Sequence, residues 1–204
     1  MFKTTRKHSS YWKNRKIDWA QAYQSTWDHP HRSIIVWMLK SIPFISLWEI
    51  GVGGGANLIK VAKELPGKQM GGSDISEDAV TLCRATFQGG LFHVEQGNNL
   101  MMSDKSADVL LSDMTLIYVD PFSIDSYLRE MKRVGRFFVV LCEFHSPSWW
   151  KRQKARLQGY HVYDYRKRLE KQGFYDIMIQ HIPEEFWPGT DNNSEFRSII
   201  TARI

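Results

Sequence analysis

Between residues 45 and 204, apolar runs about the length of strands alternate with longer segments whose apolar positions recur every three or four residues. The first run, Ile45-Ser46-Leu47-Trp48-Glu49-Ile50, is nearly continuous in apolar residues and ends at glycines, as a buried strand does. A helix is predicted over 57–65, stopped by Pro66-Gly67, and a second strand over 69–73 ends at Asp74. Ser76 stands where an N-cap side chain accepts from the first turn, with Glu77 and Asp78 complementing the helix dipole. That helix runs to about residue 87 and closes at Gly89-Gly90. Strands follow over 91–95, 108–112 and 136–143, with a helix over 121–133 that begins on proline. A helix over 164–172 leads to a strand over 174–180, and a last strand, 196–203, follows without a helix between. Strands separated by helices call for a parallel sheet covered on both faces. The final pair, lacking a crossover helix, must be antiparallel.

Upstream the pattern changes. Residues 1–16 carry six Lys or Arg and no acid, and include Tyr11 and Trp12. A helix is predicted over 18–26, a break at His29-Pro30-His31-Arg32, and a second helix over 33–40 that buries Ile34, Ile35, Trp37 and Met38. The stretch 145–163 is polar, aromatic and basic, with no element assigned. At 204 residues the chain fits one core, with residues 1–44 as an N-terminal helical segment ahead of a domain at 45–204. Cys83 and Cys142 form no CxxC pair, so neither a disulfide framework nor a cysteine zinc site is expected, no metal is assigned, and a reducing cytoplasm suits the chain. The basic N-terminus is not followed by an apolar run, and no stretch approaches the roughly 18 apolar residues of a span, so neither export nor a membrane partner is expected. The net charge of +5 admits anionic partners without requiring them.

The chemistry is concentrated in Glu49-Ile50-Gly51-Val52-Gly53-Gly54-Gly55, at the first strand-to-helix turn. A backbone that turns sharply and then presses against a ligand needs residues without Cβ, and open α/β sheets bind ligands at such turns. Asp74 ends the second strand 23 residues after Gly51, where a carboxylate can accept from both hydroxyls of a ribose. Loop and acid together indicate an adenosine-type ligand. Gly51-x-Gly53-x-x-Ala56 also satisfies the dinucleotide pattern, so glycine spacing leaves two cofactor classes open.

Glu49 two residues before the first glycine, the tight ExGxGxG spacing and the final antiparallel strand resemble the class I S-adenosylmethionine-dependent methyltransferases, over about residues 48–204. The Gly72-Ser73-Asp74-Ile75-Ser76 run and Lys171-Gln172-Gly173-Phe174 extend the resemblance. It implies a Rossmann-like, mostly parallel seven-stranded α/β sheet with an antiparallel last strand, and S-adenosyl-L-methionine as cofactor. By the same resemblance Glu49 fixes the loop or the cofactor's ammonium end, Gly51, Gly53 and Gly55 pass beneath its methionyl part, Asp74 holds the ribose, and Ile75 lies against the adenine. Asn98 and Asn99 follow the third strand, Asn98 standing where many members carry an acid for the adenine amino group; its amide oxygen can accept the same bond. Asp113 ends the fourth strand, where members line cofactor and acceptor. Tyr11-Trp12-x-x-Arg15 and 27–32 resemble segments that cover the cofactor in some small-molecule methyltransferases, with Arg15 or Arg32 meeting the methionyl carboxylate.

Methyl transfer is an in-line displacement, so the protein must chiefly align nucleophile and methyl and exclude water. Where the acceptor is a hydroxyl, a base near neutral pKa helps, and His145, beside Glu143 at the end of the fifth strand, is the expected catalytic residue. Glu143 and His161 are the expected acceptor-side residues. Residues 149–156 mix two Trp with four cations, a composition suited to stacking bases and neutralising phosphates, or to a lid. A small-molecule acceptor is the leading expectation, with RNA or protein as alternatives. A nicotinamide-dependent oxidoreductase is the competing enzyme class, and a cofactor-binding interaction module the third reading.

Overall fold

The computed structural model describes residues 5–157, 159–188 and 194–204. Its elements in chain order are α1 (Thr5–Asn14), α2 (Trp19–Thr26), α3 (His31–Lys40), β1 (Ser46–Ile50), α4 (Ala56–Glu64), β2 (Gln69–Asp74), α5 (Glu77–Thr86), β3 (Leu91–Val94), β4 (Ala107–Asp113), α6 (Ile124–Val134), β5 (Gly135–Phe144), α7 (Trp149–Leu157), α8 (Tyr165–Lys171), β6 (Tyr175–His181) and β7 (Arg197–Arg203). Short 3-10 turns lie at Leu116–Tyr118, Glu184–Phe186 and Ser194–Phe196.

The seven strands form one sheet in the order β3-β2-β1-β4-β5-β7-β6. Pairs among β1 to β5 are parallel, while β7 runs antiparallel to both β5 and β6 and lies between them. The order reverses at β1, between β2 and β4, which opens a crevice beyond the carboxyl ends of these strands. Side chains alternate across the sheet, as the period of a strand requires. Trp48, Ile50, Leu110, Val139 and Leu141 face α6 and α8, whereas Leu47, Val109, Leu111, Val140 and Cys142 face α3, α4 and α5. Asp108 ties the start of β1 to β4, its carboxylate accepting from the backbone N–H of Ile45 (2.8 Å) and from Arg136 (2.6 Å).

Ser76 caps α5 as its position predicts, accepting from the Ala79 N–H. Three expectations are corrected. Trp37 is exposed, because α3 begins at His31 and the helix phase turns His31, Ile35, Met38 and Leu39 inward. The helix expected over 121–133 starts at Ile124, since the Asp120 carboxylate and carbonyl accept from Phe122, Ser123 and Ile124 and hold 120–123 as a turn. Within 145–163 lies a helix, α7, whose apolar positions are too few to give a helical period: Ala155 is its one buried residue. Within the basic upstream segment, Thr5–Asn14 is likewise helical, as α1.

Candidate functional site

The loop after β1 is built for close approach. Gly51 and Gly53 hold φ of +73° and +51°, in the left-handed region that L side chains rarely adopt. A Cβ on Gly51 would come within 2.1 Å of the Thr115 hydroxyl, and one on Gly53 within 3.1 Å of the Trp19 ring. Asp74 closes the loop from the next strand. One carboxylate oxygen accepts from the Gly53 N–H (2.9 Å) and the other from the Ser76 N–H (2.9 Å), while each keeps a further lone pair. Burial raises the Asp74 pKa and these backbone donors offset part of the rise.

Above the loop lies a cavity of about 310 Å³. Of the residues expected to bind a cofactor, Gly51, Gly53, Asp74, Ile75, Asn98 and Asp113 line it, drawn together from the ends of β1, β2, β3 and β4. Glu49, Gly55 and Asn99 do not. Gly55 instead serves as the left-handed N-cap of α4, and Glu49 lies buried behind the loop.

Behind Asp113 the buried polar groups are linked. Its Oδ2 accepts from His31 Nε2 (2.9 Å), Arg32 (2.8 Å) and Asn57 Nδ2 (3.0 Å), and Asn57 also donates to Glu49 Oε1 (2.6 Å). Burial raises the Asp113 pKa, but His31 and Arg32 outweigh it and hold the carboxyl well below the usual range. Glu49, with no cation in contact, is pushed by burial up to about 8. Asp113 Oδ1 and Glu49 Oε2 are each buried without a hydrogen-bond partner, acceptors still open to a donor. His31, Asp113 and Cys142 also bring three ligand-type atoms within 4.8 Å, but the Arg32 guanidinium already holds Asp113 Oδ2 where a metal ion would stand. Arg32 is thus engaged within the protein, and Arg15 lies over the rings of Tyr11 and Trp12 at 5.1 and 5.3 Å.

The residues expected on the acceptor side are placed elsewhere. Glu143 is fully buried beneath the 3-10 turn after β4: its carboxylate accepts from the Ser112 hydroxyl (2.8 Å) and from the N–H groups of Thr115 (3.0 Å), Leu116 (3.0 Å) and Ile117 (3.2 Å). Burial pushes it up to about 7 despite these donors. His145 does not line the cavity; its Nδ1 accepts from the Tyr165 N–H (3.2 Å) and burial lowers its pKa. His161 is buried against the Tyr163 ring, its backbone N–H bonded to the Ile117 carbonyl. None of the three lines the cavity.

Residues 48–136 match the methyltransferase domain family, less than half of the chain but the part holding the glycine loop, Asp74, Asn98 and Asp113. That stretch carries a methyltransferase domain. The chain has no match among curated proteins. Its fold recurs in solved structures: a magnesium protoporphyrin IX methyltransferase from Synechocystis with bound S-adenosylhomocysteine shares 16% identity and a TM-score of 0.65, over 98% of both chains. A complex of the Haloferax volcanii Trm112 methyltransferase activator with a putative methyltransferase gives 16% and 0.67, over 91% of this chain and 93% of that one. A SAM-dependent methyltransferase from Archaeoglobus fulgidus gives 18% and 0.59, over 85% and 94%. These likenesses support the mixed seven-stranded architecture, and the family match favours methyl transfer over hydride transfer. Among the described residues no helix is long and apolar enough to cross a membrane.

The cavity has further walls beyond the strand-end residues. Trp12 and Trp19 cover it from the N-terminal helices, Trp19 donating through its indole N–H to Ser76 Oγ (3.2 Å). Glu95, Thr115, Tyr118 and Tyr127 complete it. The signal for Trp12 is the aromatic, basic segment upstream; for Tyr118 and Tyr127, set by the turn after β4 and by α6, there is none beyond their aromatic character.

Proposed function

We propose that this methyltransferase holds S-adenosylmethionine in the cavity above the glycine loop and transfers its methyl group to a small-molecule acceptor. The observation that carries the proposal is the convergence on one cavity of Gly51, Gly53, Asp74, Ile75, Asn98 and Asp113, from four strand ends. The donor set fits the cofactor's chemistry. Asp74 keeps lone pairs for the two ribose hydroxyls, Ile75 and Tyr127 offer apolar surface to the adenine, and Asn98 an amide to its edge. The unpartnered Asp113 Oδ1, backed by Glu49, offers a buried acceptor to the methionyl ammonium.

S-adenosylmethionine supplies an electrophilic methyl on a sulfonium. What this chain contributes is alignment and exclusion of water: Trp12 and Trp19 close the cavity above, and Met114, Thr115 and Tyr118 form the wall after β4. Among the described residues no histidine lines the cavity, so an acceptor already nucleophilic at neutral pH suits it better than a hydroxyl needing a histidine base. Isothermal titration with S-adenosylmethionine, S-adenosylhomocysteine and NADH tests the reading. Binding of the first two at micromolar concentration without NADH is expected, and NADH binding alone overturns it. Asp74→Ala should weaken S-adenosylmethionine binding about a hundredfold, for two charge-assisted hydrogen bonds at about 1.5 kcal/mol each. Unchanged affinity would remove Asp74 from the ribose.

A further inference from the structure

The net charge of +5 conceals a division. Ten of the 27 Lys and Arg residues lie in 1–16 and 149–157, which contain no acid, while the remaining 17 are outnumbered by all 22 Asp and Glu. The structure brings α1 and α7, the helices of these two segments, near one another. The Trp12 ring of α1 packs on Tyr118 with centroids 4.9 Å apart, Tyr118 neighbours Tyr160 at 6.0 Å, and Ala155 of α7 sits in the same apolar cluster as both tyrosines. Both basic helices therefore flank Tyr118, a residue of the cavity wall.

On these helices and beside the cavity stand exposed apolar side chains that the core does not claim. On α7, Trp150 and Leu157, seven residues apart and so on one side of the helix, are each 77% exposed and border an open groove with Gln153, Lys154 and Arg156. Trp149 and Tyr11 are half exposed, and Phe122 is 92% exposed between the cavity-lining Val119 and Ser123. Exposed large apolar groups beside two basic helices mark an interaction surface, even with Lys151 paired to Glu195 (2.6 Å) and Lys16 to Asp78 (3.8 Å).

We propose that α1 and α7 form a docking face for an anionic lipid bilayer, with the aromatic and aliphatic side chains entering the headgroup layer and the cations on the lipid phosphates. Charge complementarity selects an anionic partner. Between the two common anionic surfaces, a nucleic acid uses the cations and stacks bases on Trp149 and Trp150, but leaves Leu157 and Phe122 in water; a bilayer interface takes up all of them, Trp most readily. The cavity mouth then faces the membrane, whatever the acceptor.

Sedimentation of the 204-residue chain with phosphatidylcholine vesicles, with and without phosphatidylglycerol, tests this. The protein is expected to sediment with the anionic vesicles only, and less as salt rises. Lys13→Gln and Lys154→Gln, one in each segment, should each lower partitioning about fivefold, a cation near an anionic surface contributing about 1 kcal/mol. Trp150→Ala should lower it about tenfold, the effect of withdrawing roughly half of a large aromatic side chain from the interface. All three side chains project into solvent, so each variant should keep the wild-type melting temperature and S-adenosylmethionine affinity. Failure to bind anionic vesicles, equal binding to neutral ones, or wild-type partitioning by the variants overturns the proposal. So does complete displacement from vesicles by single-stranded RNA at equal phosphate, which assigns the face to nucleic acid.

Discussion

Two carboxylates buried at the ends of neighbouring strands have opposite surroundings. Asp113, at the end of β4, pairs in register with Cys142 on β5, and Glu143 is the next residue along. Glu143 meets only neutral donors, a hydroxyl and three backbone N–H groups, and burial pushes it up to about 7. Asp113, which lines the cavity, meets His31 and Arg32, stays well below the usual carboxylate range, and keeps one buried oxygen without a hydrogen-bond partner. Burial in an apolar sheet thus yields a scaffold acceptor in one case and a charged group of the cavity lining in the other. The partner decides which. Backbone donors also favour the anion, but at Glu143 they do not outweigh burial, whereas the buried cations at Asp113 do.

Removing each acid should separate the two roles. Glu143→Ala leaves four donors without their acceptor and should cost about 4 kcal/mol in urea unfolding, with the turn after β4 loosened. A loss under about 1 kcal/mol would mean that this turn does not depend on Glu143. Asp113→Asn keeps the shape but removes the charge facing Arg32 and His31, and should cost about 2 kcal/mol. It should also lower S-adenosylmethionine affinity at least tenfold. A stability loss with affinity intact would make Asp113 a scaffold residue like Glu143 and erase the contrast.

The pH dependence sharpens it without deleting either group. Glu143 and Glu49 have folded pKa values of about 7 and about 8, above their ordinary 4.5, so the folded state keeps protons that the unfolded state releases. Their contribution is fully present below about pH 4.5 and is lost as pH rises through 7 and 8. Asp113 has the opposite sign: its folded pKa lies below 3.8, so its contribution is present above pH 3.8 and is lost as pH falls further. Melting temperature followed against pH should therefore decline from 4.5 to 8 in the wild type and flatten in part in Glu143→Gln and in Glu49→Gln. In Asp113→Asn the alkaline slope should persist and the acid one shrink. An unchanged alkaline slope in both Glu variants would refute burial as its source.

What the chain reveals before folding follows the range of each interaction. Strand and helix succession, the cap at Ser76 and the antiparallel final pair are encoded in local pattern, and Gly51, Gly53 and Asp74 carry backbone or charge requirements visible in their own neighbourhood. The contact of Trp19 with Gly53 joins residues 34 apart and leaves no periodic trace. The same holds for His31 and Asp113, 82 apart, and for Glu143 beneath the Leu116 turn. Helix α7 escapes the pattern because it buries one residue, so the hydrophobic period that reveals other helices is absent.

His145 gives the smallest predicted effect and a direct check on how far the contrast extends along β5. A histidine one residue past a buried acid at a strand end invites assignment as a base, yet its Nδ1 accepts from the Tyr165 N–H at the start of α8, and its ring does not line the cavity. A base must come within hydrogen-bond reach of the proton it removes. His145→Ala should therefore cost about 1 kcal/mol of stability, one lost hydrogen bond, and leave S-adenosylmethionine affinity unchanged. With any acceptor that the wild type turns over, kcat should stay within about twofold, general bases contributing at least about a hundredfold where they act. A hundredfold fall in kcat together with loss of the acid limb of the pH profile would show that the acceptor reaches past Glu143 to the end of β5, and that the ligand-facing side of the site extends beyond Asp113.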